Sequence, residues 1–280
     1  MVDLDLNKTI QSVNDASTQV FIKTKEDTKI SFRQWGEAGP ILVMLHGGYG
    51  SWMHWLNNVC ELCKNFRIVV PDMPGFGESE LLPYLPSLDQ YAQILVDALD
   101  ELLPKEQYNI VGFSFGSAIG SHMVKFAGDK VKRLTLVGYN RTGNMPFKRP
   151  KMKSWRDVSS KEELFAAQRF NLSVMMLHKE EKIDDLAITV QTLNTRGGKV
   201  RSLDIVATHD LPSRLLEVNK PIDIIWGEFD VTLINGIDNA QERMQELIPD
   251  VECHVINNTG HWVQFEEPEQ FNKIINKIYN

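Results

Sequence analysis

Short apolar runs alternate along the chain with longer segments in which apolar residues recur at helical spacing. The runs predict six strands, at 41–45, 67–70, 108–111, 133–137, 222–226 and 252–256. The periodic segments predict helices, at 52–64, 87–103, 239–248 and 268–279. Strands and helices that alternate in this way are typical of βαβ units, so the pattern predicts an α/β fold with a parallel sheet.

The beginning of the chain departs from this alternation. Residues 1–17 are polar and aperiodic, and they predict an irregular arm. Residues 18–23 and 28–35 resemble strands and flank the turn-forming residues 25–27. We therefore expect a β-hairpin ahead of the alternating strands and helices.

The middle of the chain departs from it as well. Residues 140–211 carry no strand pattern but contain strong helix signals. Ser160 and Glu163 predict the start of one helix, and 184–194 predict another. This segment is too structured for a linker. The sequence predicts a core formed by residues 1–139 and 212–280, with a helical cap inserted at 140–211.

Composition narrows the class of protein. The chain has 280 residues, a formal net charge of −7 and 42% hydrophobic residues, which is ordinary for a globular protein. The acidic balance and the lack of a basic stripe argue against a nucleic-acid partner. No apolar run approaches the length of about 20 residues that spans a bilayer. The acidic first residues do not resemble a signal peptide, so we expect a cytoplasmic protein and no membrane partner.

Two of the three cysteines, Cys60 and Cys63, form a C-x-x-C pair. A structural zinc site needs a second ligand pair at matching spacing, and the sequence has none. We therefore expect reduced cysteines that pack as small apolar groups, and no metal site.

The candidate chemistry is concentrated in residues 112–116, which read G-x-S-x-G. A predicted strand precedes this motif, and a helix of small residues follows it to about residue 127. A strand that turns sharply into a helix presents the middle residue, Ser114, at the edge of the sheet. The sequence therefore predicts a nucleophile elbow, with the helix N-terminus placed to stabilise a developing oxyanion.

A nucleophilic serine needs a base and an acid. Among seven histidines, only His261 lies in a loop directly after a late strand, where it could face the elbow. Asp230 follows another strand at the same predicted edge and could orient the imidazole. The chain order Ser114, Asp230, His261 fits elbow chemistry. Glu228 is the alternative acid.

These motifs together resemble those of α/β-hydrolase-fold serine hydrolases with a helical cap. The matching motifs are His46-Gly47-Gly48, Asp72-x-Pro74-Gly75-x-Gly77-x-Ser79, the elbow, Gly227-x-x-Asp230 and Gly260-His261. The resemblance implies an eight-stranded, mostly parallel sheet flanked by helices. It also implies that Asp72 and His46 brace loops. The proline that family members often have shortly after the acid is absent, so the loop of Asp230 could differ in shape.

The resemblance further implies which groups surround the nucleophile. The oxyanion hole would be formed by the N–H groups of Phe115 and Gly48, with Tyr49 the alternative for the second. As substrate-binding residues we expect Tyr49, Phe113, Trp155 and Trp262. The chemistry needs no cofactor.

Hydrolysis of a small to medium carboxylic ester is the first expectation for the reaction. The alternative is hydrolysis of a carbon–carbon bond in a ring-cleavage dienone acid, since the residues after His261 resemble that branch. Those enzymes usually carry asparagine where this chain has Phe113, and their cap arginine could correspond to Arg156, Arg169 or Arg196. A ligand receptor with slow hydrolysis and a thioesterase also remain open, as does a homodimer.

Overall fold

The computed structural model describes residues 7–139, 150–206, 211–233 and 235–280. Within these ranges the strands are β1 (Thr18–Lys23), β2 (Lys29–Trp35), β3 (Ile41–Leu45), β4 (Arg67–Pro71), β5 (Tyr108–Phe113), β6 (Val131–Val137), β7 (Ile222–Gly227) and β8 (Glu252–Ile256). The α-helices are α1 (Lys8–Asp15), α2 (Val59–Leu62), α3 (Leu88–Leu102), α4 (Phe115–Ala127), α5 (Lys161–Met175), α6 (Asp185–Gly197), α7 (Ser202–Val206), α8 (Leu211–Leu216), α9 (Gly236–Leu247), α10 (Val263–Glu266) and α11 (Pro268–Tyr279).

The eight strands form one sheet in the order β1-β2-β4-β3-β5-β6-β7-β8. The pairs β1/β2 and β2/β4 are antiparallel, and all other neighbours are parallel. The predicted α/β fold with a mostly parallel, eight-stranded sheet is therefore confirmed. The loops that follow β3, β5, β7 and β8 all leave the same, carboxyl edge of the sheet, where ligands bind in folds of this kind.

Helices cover both faces of the sheet, as β3 illustrates. All five of its side chains are buried. Ile41, Val43 and Leu45 belong to the apolar cluster that includes α3 and α4. Leu42 and Met44 belong to the opposite cluster, which includes α11. A parallel strand that is buried on both faces has a continuous run of apolar residues, and this run is why the sequence predicted β3.

The helices α5 to α8 lie between β6 and β7 in the chain. Two side-chain hydrogen bonds show how they are held. Gln168 in α5 donates to the hydroxyl of Thr195 in α6 at 2.9 Å. Ser51, in the loop after β3, donates to Asn194 Oδ1 in α6 at 2.6 Å. This insertion therefore contacts the carboxyl edge of the sheet. The division into a core and a cap at residues 140 and 211 stays a prediction, because 140–149 and 207–210 lie outside the described residues.

Two expectations about helices were wrong. The arm at 1–17 contains α1, which is held by the buried side chains of Ile10 and Val13 and by the indole of Trp35, which donates to Val13 O at 3.0 Å. Two apolar residues in one turn were too few to stand out in the sequence. The segment 52–64 is not one helix but a 3₁₀ turn (Trp52–Trp55) followed by α2.

Tertiary contacts explain the broken segment. Asn58, which separates the two pieces, donates through Nδ2 to Gln264 O and to Asn272 Oδ1, both at 3.0 Å. Trp52 N–H donates to the carboxylate of Asp72 at 2.7 Å. These bonds to distant parts of the chain take the place of a continuous helical ladder.

Two compositional expectations can be compared with the structure. All three cysteines are free, but Cys60 is exposed, so the expectation that both C-x-x-C thiols pack as apolar groups was wrong for Cys60. None of the helices in the described ranges combines the length and apolar character that would let it cross a bilayer.

Candidate active site

Ser114 occupies a sharp turn between β5 and α4. Its φ and ψ angles are +51° and −108°, in a region that residues other than glycine rarely adopt. Its N–H donates to the carbonyl of Val137 at 2.8 Å, which ties the turn to the neighbouring strand β6. Backbone strain of this kind persists only where the surrounding structure fixes it, and it concentrates at functional sites.

Glycine is required on both sides of this turn because backbone atoms approach closely. A Cβ atom on Gly112 would lie 2.4 Å from the carbonyl oxygen of Gly116. A Cβ atom on Gly116 would lie 2.4 Å from the carbonyl oxygen of Leu45 in β3. The G-x-S-x-G sequence therefore forms a tight strand-to-helix elbow with Ser114 at its apex.

The side chains of Ser114, His261 and Asp230 form one hydrogen-bonded row. His261 Nε2 lies 3.0 Å from Ser114 Oγ, and His261 Nδ1 lies 2.8 Å from Asp230 Oδ2. Asp230 follows β7 and His261 follows β8, so both reach the elbow from the carboxyl edge of the sheet. Asp230 is 5% exposed and His261 is 3% exposed, so the acid and the base are shielded from water, whereas Ser114 is partly exposed. A neutral imidazole that donates from Nδ1 can accept the serine proton at Nε2.

Thr232 holds the carboxylate of Asp230 in place. The sequence did not lead us to expect a role for Thr232. Its N–H and O–H donate to Asp230 Oδ1 at 2.9 and 2.6 Å. Burial raises the pKa of Asp230, but His261 and Thr232 outweigh that effect and hold the pKa below its usual value. The signal was present in the sequence, because an aspartate two residues before a hydroxyl can form an Asx turn. Glu228, the alternative acid, instead accepts from the N–H of Asn258 at 2.7 Å.

Two buried histidines hold the loop after β3. His46 donates from Nδ1 to Gly47 O at 2.8 Å and accepts from Met73 N–H at 2.9 Å through Nε2. His54 Nδ1 accepts from Gly47 N–H at 3.0 Å. Burial lowers the pKa of His46 to about 4 and lowers the pKa of His54 well below its usual value. Both rings are therefore neutral near pH 7 and act as fixed hydrogen-bonding groups.

Asp72 holds the start of the same region. Its carboxylate accepts from Trp52 N–H at 2.7 Å and from Glu78 N–H at 3.0 Å. Burial raises its pKa to about 6, against the opposing effect of these two N–H groups. Asp72 thus joins the loops after β3 and β4, which is the bracing position implied for it.

The loop after β3 places Gly48 beside the elbow. A Cβ atom on Gly48 would lie 3.8 Å from Phe115 Cβ. Phe115 is the first residue of α4, where a helix leaves its N–H groups without internal acceptors. In the described parts of the chain, neither Phe115 N–H nor Gly48 N–H donates to another group. Tyr49, the alternative donor, has a left-handed backbone with φ of +55°.

A sequence comparison identifies the family to which this fold and site belong. The profile described as the alpha/beta hydrolase fold matches residues 40–268, which is more than half of the chain. The chain belongs to the α/β-hydrolase fold family. Together with the relatives below, this membership makes the protein a hydrolase.

Two curated relatives of this hydrolase cover almost its whole length. A 2-hydroxy-6-oxononadienedioate/2-hydroxy-6-oxononatrienedioate hydrolase of Pseudomonas putida is 25% identical over 94% of this chain and 96% of its own. An enzyme of the same name from Cupriavidus pinatubonensis is 27% identical over 95% of this chain and 96% of its own.

Solved structures of similar fold include esterases. The naproxen esterase of Bacillus subtilis is 18% identical, with a TM-score of 0.75 over 99% of this chain and all of its own. A thermophilic esterase from Thermogutta terrifontis is 21% identical, with a TM-score of 0.70 over 94% of this chain and all of its own. At these identities the likeness shows the fold alone.

Two of the four expected substrate-binding residues lie fully buried in the hydrolase. The ring of Phe113 packs against His261, with 5.0 Å between the ring centroids. Trp262 donates from Nε1 to His54 O at 3.1 Å and stacks on Phe265. Both therefore support the candidate base and its neighbours from inside the core. Their substrate-binding role stays a prediction, and the structure gives each of them a packing role.

The other two expected substrate-binding residues are partly exposed. Tyr49 Cδ1 lies 3.0 Å from where a Cβ on Gly198 would lie, so its ring fills the space between the loop after β3 and the end of α6. Trp155 lies ahead of α5, and the guanidinium of Arg156 lies 4.1 Å from its ring centroid. Tyr49 is thus adjacent to Gly48, and the role of Trp155 stays a prediction.

One group of side chains in the described part of the hydrolase has ligand atoms close enough to share a metal ion. His254 Nε2 lies 3.9 Å from Asp223 Oδ1 and 3.9 Å from Glu252 Oε2. Asp223 already pairs with Arg133 at 2.8 Å, and this positive charge disfavours a cation there. The group also lies at the amino ends of β7 and β8, away from the edge that carries Ser114.

Ser202, the first residue of α7, approaches the loop after β3 from the insertion. A Cβ atom on Gly48 would lie 2.3 Å from Ser202 Oγ and 3.1 Å from Ser202 Cβ. No motif in the sequence indicates this contact, because the two residues belong to segments far apart in the chain. It marks where the insertion meets the candidate oxyanion loop.

Replacement of Gly48 by alanine is expected to lower kcat/KM by about 10- to 100-fold, because the new methyl group must displace either Ser202 or the loop. Steady-state ester hydrolysis measures this loss. The double variant Gly48→Ala/Ser202→Gly removes the colliding side chain and should recover most of the activity. A double variant as slow as the single one would contradict the steric explanation.

Proposed function

We propose that the protein hydrolyses small to medium carboxylic esters through an acyl-enzyme formed on Ser114. The observation that carries this proposal is the hydrogen-bonded row of Ser114, His261 and Asp230 at a strained elbow. A serine activated by a hydrogen-bonded base is the nucleophile that acyl transfer from an ester requires. The esterases among the structures of similar fold are compatible with this substrate class.

We assign a residue of the site to each step of the proposed reaction. His261 Nε2 removes the proton from Ser114 Oγ as the oxygen attacks the carbonyl carbon. The oxyanion accepts from Phe115 N–H and Gly48 N–H, beside the positive end of α4. His261 then protonates the leaving alcohol, later deprotonates the attacking water, and returns that proton to Ser114 Oγ as the acid leaves. Asp230 keeps the other imidazole proton on Nδ1 throughout.

Hydrolysis of a carbon–carbon bond in a dienone acid is the second candidate. The curated relatives over the whole chain carry that activity in their names, which favours it. Such a substrate is an anion, and it would need a cation near Ser114. The three arginines considered in the insertion, Arg156, Arg169 and Arg196, are all exposed. We keep the ester as the first candidate, because acyl transfer by a serine, histidine and aspartate row needs no charged group on the substrate.

A substrate panel separates the two candidates. We expect purified protein to hydrolyse aryl and short alkyl esters with a kcat between about 1 and 1000 per second. A 2-hydroxy-6-oxodienoate assayed at the same concentrations should be turned over more slowly. The reverse order would make carbon–carbon hydrolysis the function. A single turnover that leaves a persistent adduct on Ser114 would instead indicate a receptor.

A further inference from the structure

The carboxylate of Glu266 is buried in the molecule and bonded only to backbone. Glu266 ends α10, five residues after His261, and its side chain is fully buried. Oε1 accepts from the N–H groups of His178 and Lys179 at 2.9 and 2.6 Å. Oε2 accepts from Gly260 N–H at 2.7 Å. A carboxylate that accepts three backbone N–H bonds is strongly held, because each of these bonds is assisted by its charge.

These bonds join two segments that are distant in the chain. His178 and Lys179 follow α5 in the insertion, whereas Gly260 directly precedes the candidate base. A further bond between the same segments runs from Trp262 N–H to Met176 O at 2.8 Å. A Cβ atom on Gly260 would lie 2.8 Å from the nitrogen of His178, so the two backbones are in direct contact. The loop that carries His261 is therefore held from the insertion as well as from the sheet.

The carboxylate of Glu266 is held by hydrogen bonds and not by a salt bridge, although the charges of Lys179 and His178 act on it from a longer distance. In the described ranges no ion pair involves its carboxylate, and the amine of Lys179 pairs with Glu267 instead. A buried charge without an ion-pair partner is costly unless hydrogen bonds satisfy it. A buried carboxylate at this position is explained if it fixes the two backbone segments relative to each other, which an apolar side chain could not do.

We propose that Glu266 is a positioning residue for His261. It clamps Gly260 to the segment 176–179 of the insertion and so sets the position of the imidazole relative to Ser114. Glu266 does not touch the reacting atoms and acts only through the backbone of the loop. This inference rests on the proposed function, because it takes His261 to be the base.

The variant Glu266→Gln tests the clamp with little change in size. Glutamine keeps one acceptor oxygen but replaces the other by an NH₂ group, which would face an N–H donor. We expect kcat to fall by about 10- to 100-fold, because a small displacement of the base misaligns the proton transfer. KM should change by less than about threefold, because the substrate contacts are untouched.

Labelling of Ser114 with a fluorophosphonate separates positioning from folding. The amplitude of labelling counts folded, competent sites, and the rate constant reports how well the serine is activated. If Glu266 positions His261, the labelling rate constant of Glu266→Gln should fall about as much as its kcat. The labelling amplitude of the variant should stay near that of the wild type. Reduced amplitude with an unchanged rate constant would show that Glu266 only supports the fold, and would overturn the proposal.

The neighbouring Glu267 provides a matched control. Glu267→Gln removes the same charge one residue away, where the partly buried carboxylate pairs with the amine of Lys179 and not with backbone N–H groups. Its kcat and labelling rate should stay within about twofold of the wild type, because the glutamine can still accept a hydrogen bond from the Lys179 amine and the three bonds of Glu266 to backbone remain. An equal loss in both variants would contradict a specific clamp.

A shorter acidic side chain at position 266 and the activity of the wild type complete the test. If Glu266→Gln does not fold, Glu266→Asp keeps the charge but is too short to reach both segments, and it should show the same loss of kcat in milder form. A wild-type rate in folded Glu266→Asp would overturn the proposal. If the wild type neither hydrolyses esters nor labels on Ser114, the proposed function is wrong. If the wild type is active and Glu266→Gln is equally active, the proposed function stands and the positioning role of Glu266 is wrong.

Discussion

Replacement of Ser114 by alanine is expected to lower kcat for ester hydrolysis by about 10⁴- to 10⁶-fold, because no other group can form the acyl-enzyme. Intact-mass analysis should show one fluorophosphonate adduct on the wild type and none on the variant. Peptide mapping should place the adduct within residues 112–116. The double variant Ser114→Ala/His261→Ala should be no slower than Ser114→Ala alone, because the groups of such a row act as a unit.

Ser121 offers a control in the same helix. Its buried hydroxyl donates to Ala118 O at 2.7 Å and has no contact with His261. Ser121→Ala should therefore keep both hydrolysis and labelling near the wild-type values. A Ser114→Ala protein that still labels and hydrolyses at wild-type rates would show that another residue is the nucleophile.

Replacement of Asp230 by asparagine is expected to lower kcat by about 10³- to 10⁴-fold with little change in structure. The asparagine oxygen would stay on the two donors of Thr232, which turns its NH₂ group towards His261 Nδ1. That nitrogen must then accept a hydrogen bond, so the imidazole proton moves to Nε2. An imidazole in this tautomer cannot take the proton from Ser114.

Steady-state kinetics, with far-ultraviolet circular dichroism as a check on folding, measure this effect. Glu228→Gln is the matched control, since Glu228 lies two residues earlier and bonds to Asn258 N–H rather than to His261. It should keep kcat within a fewfold of the wild type. If Glu228→Gln lost activity and Asp230→Asn did not, the acid of the row would have been misassigned.

Much of the fold could be predicted from the sequence because its physical causes are local. Strands of the parallel sheet are buried on both faces, so they appear as apolar runs such as 41–45 and 222–226. The helix start predicted at Ser160 and Glu163 is formed within one turn, and the structure shows the Glu163 N–H donating to the Ser160 hydroxyl at 3.1 Å. Where helix formation depends on distant partners, as at 52–64, local periodicity gave the wrong element.

The sequence also indicated which residues could carry the chemistry, because a strained elbow needs glycines at fixed spacing and the candidate acid and base need to follow late strands. That Ser114, Asp230 and His261 lie within hydrogen-bonding distance was decided by the tertiary structure, which brings three distant loops to one edge. Thr232 lies in the same loop as Asp230 and was overlooked, although it is only two residues away in the sequence.

Contacts between the insertion and the core were not accessible from the sequence. The approach of Ser202 to Gly48 joins residues that no motif links. The bonds of Glu266 to His178, Lys179 and Gly260 likewise depend on how the insertion folds back over the sheet. Side-chain patterns along one segment report burial and capping, whereas such contacts depend on the relative position of two segments, and only the folded chain sets that position.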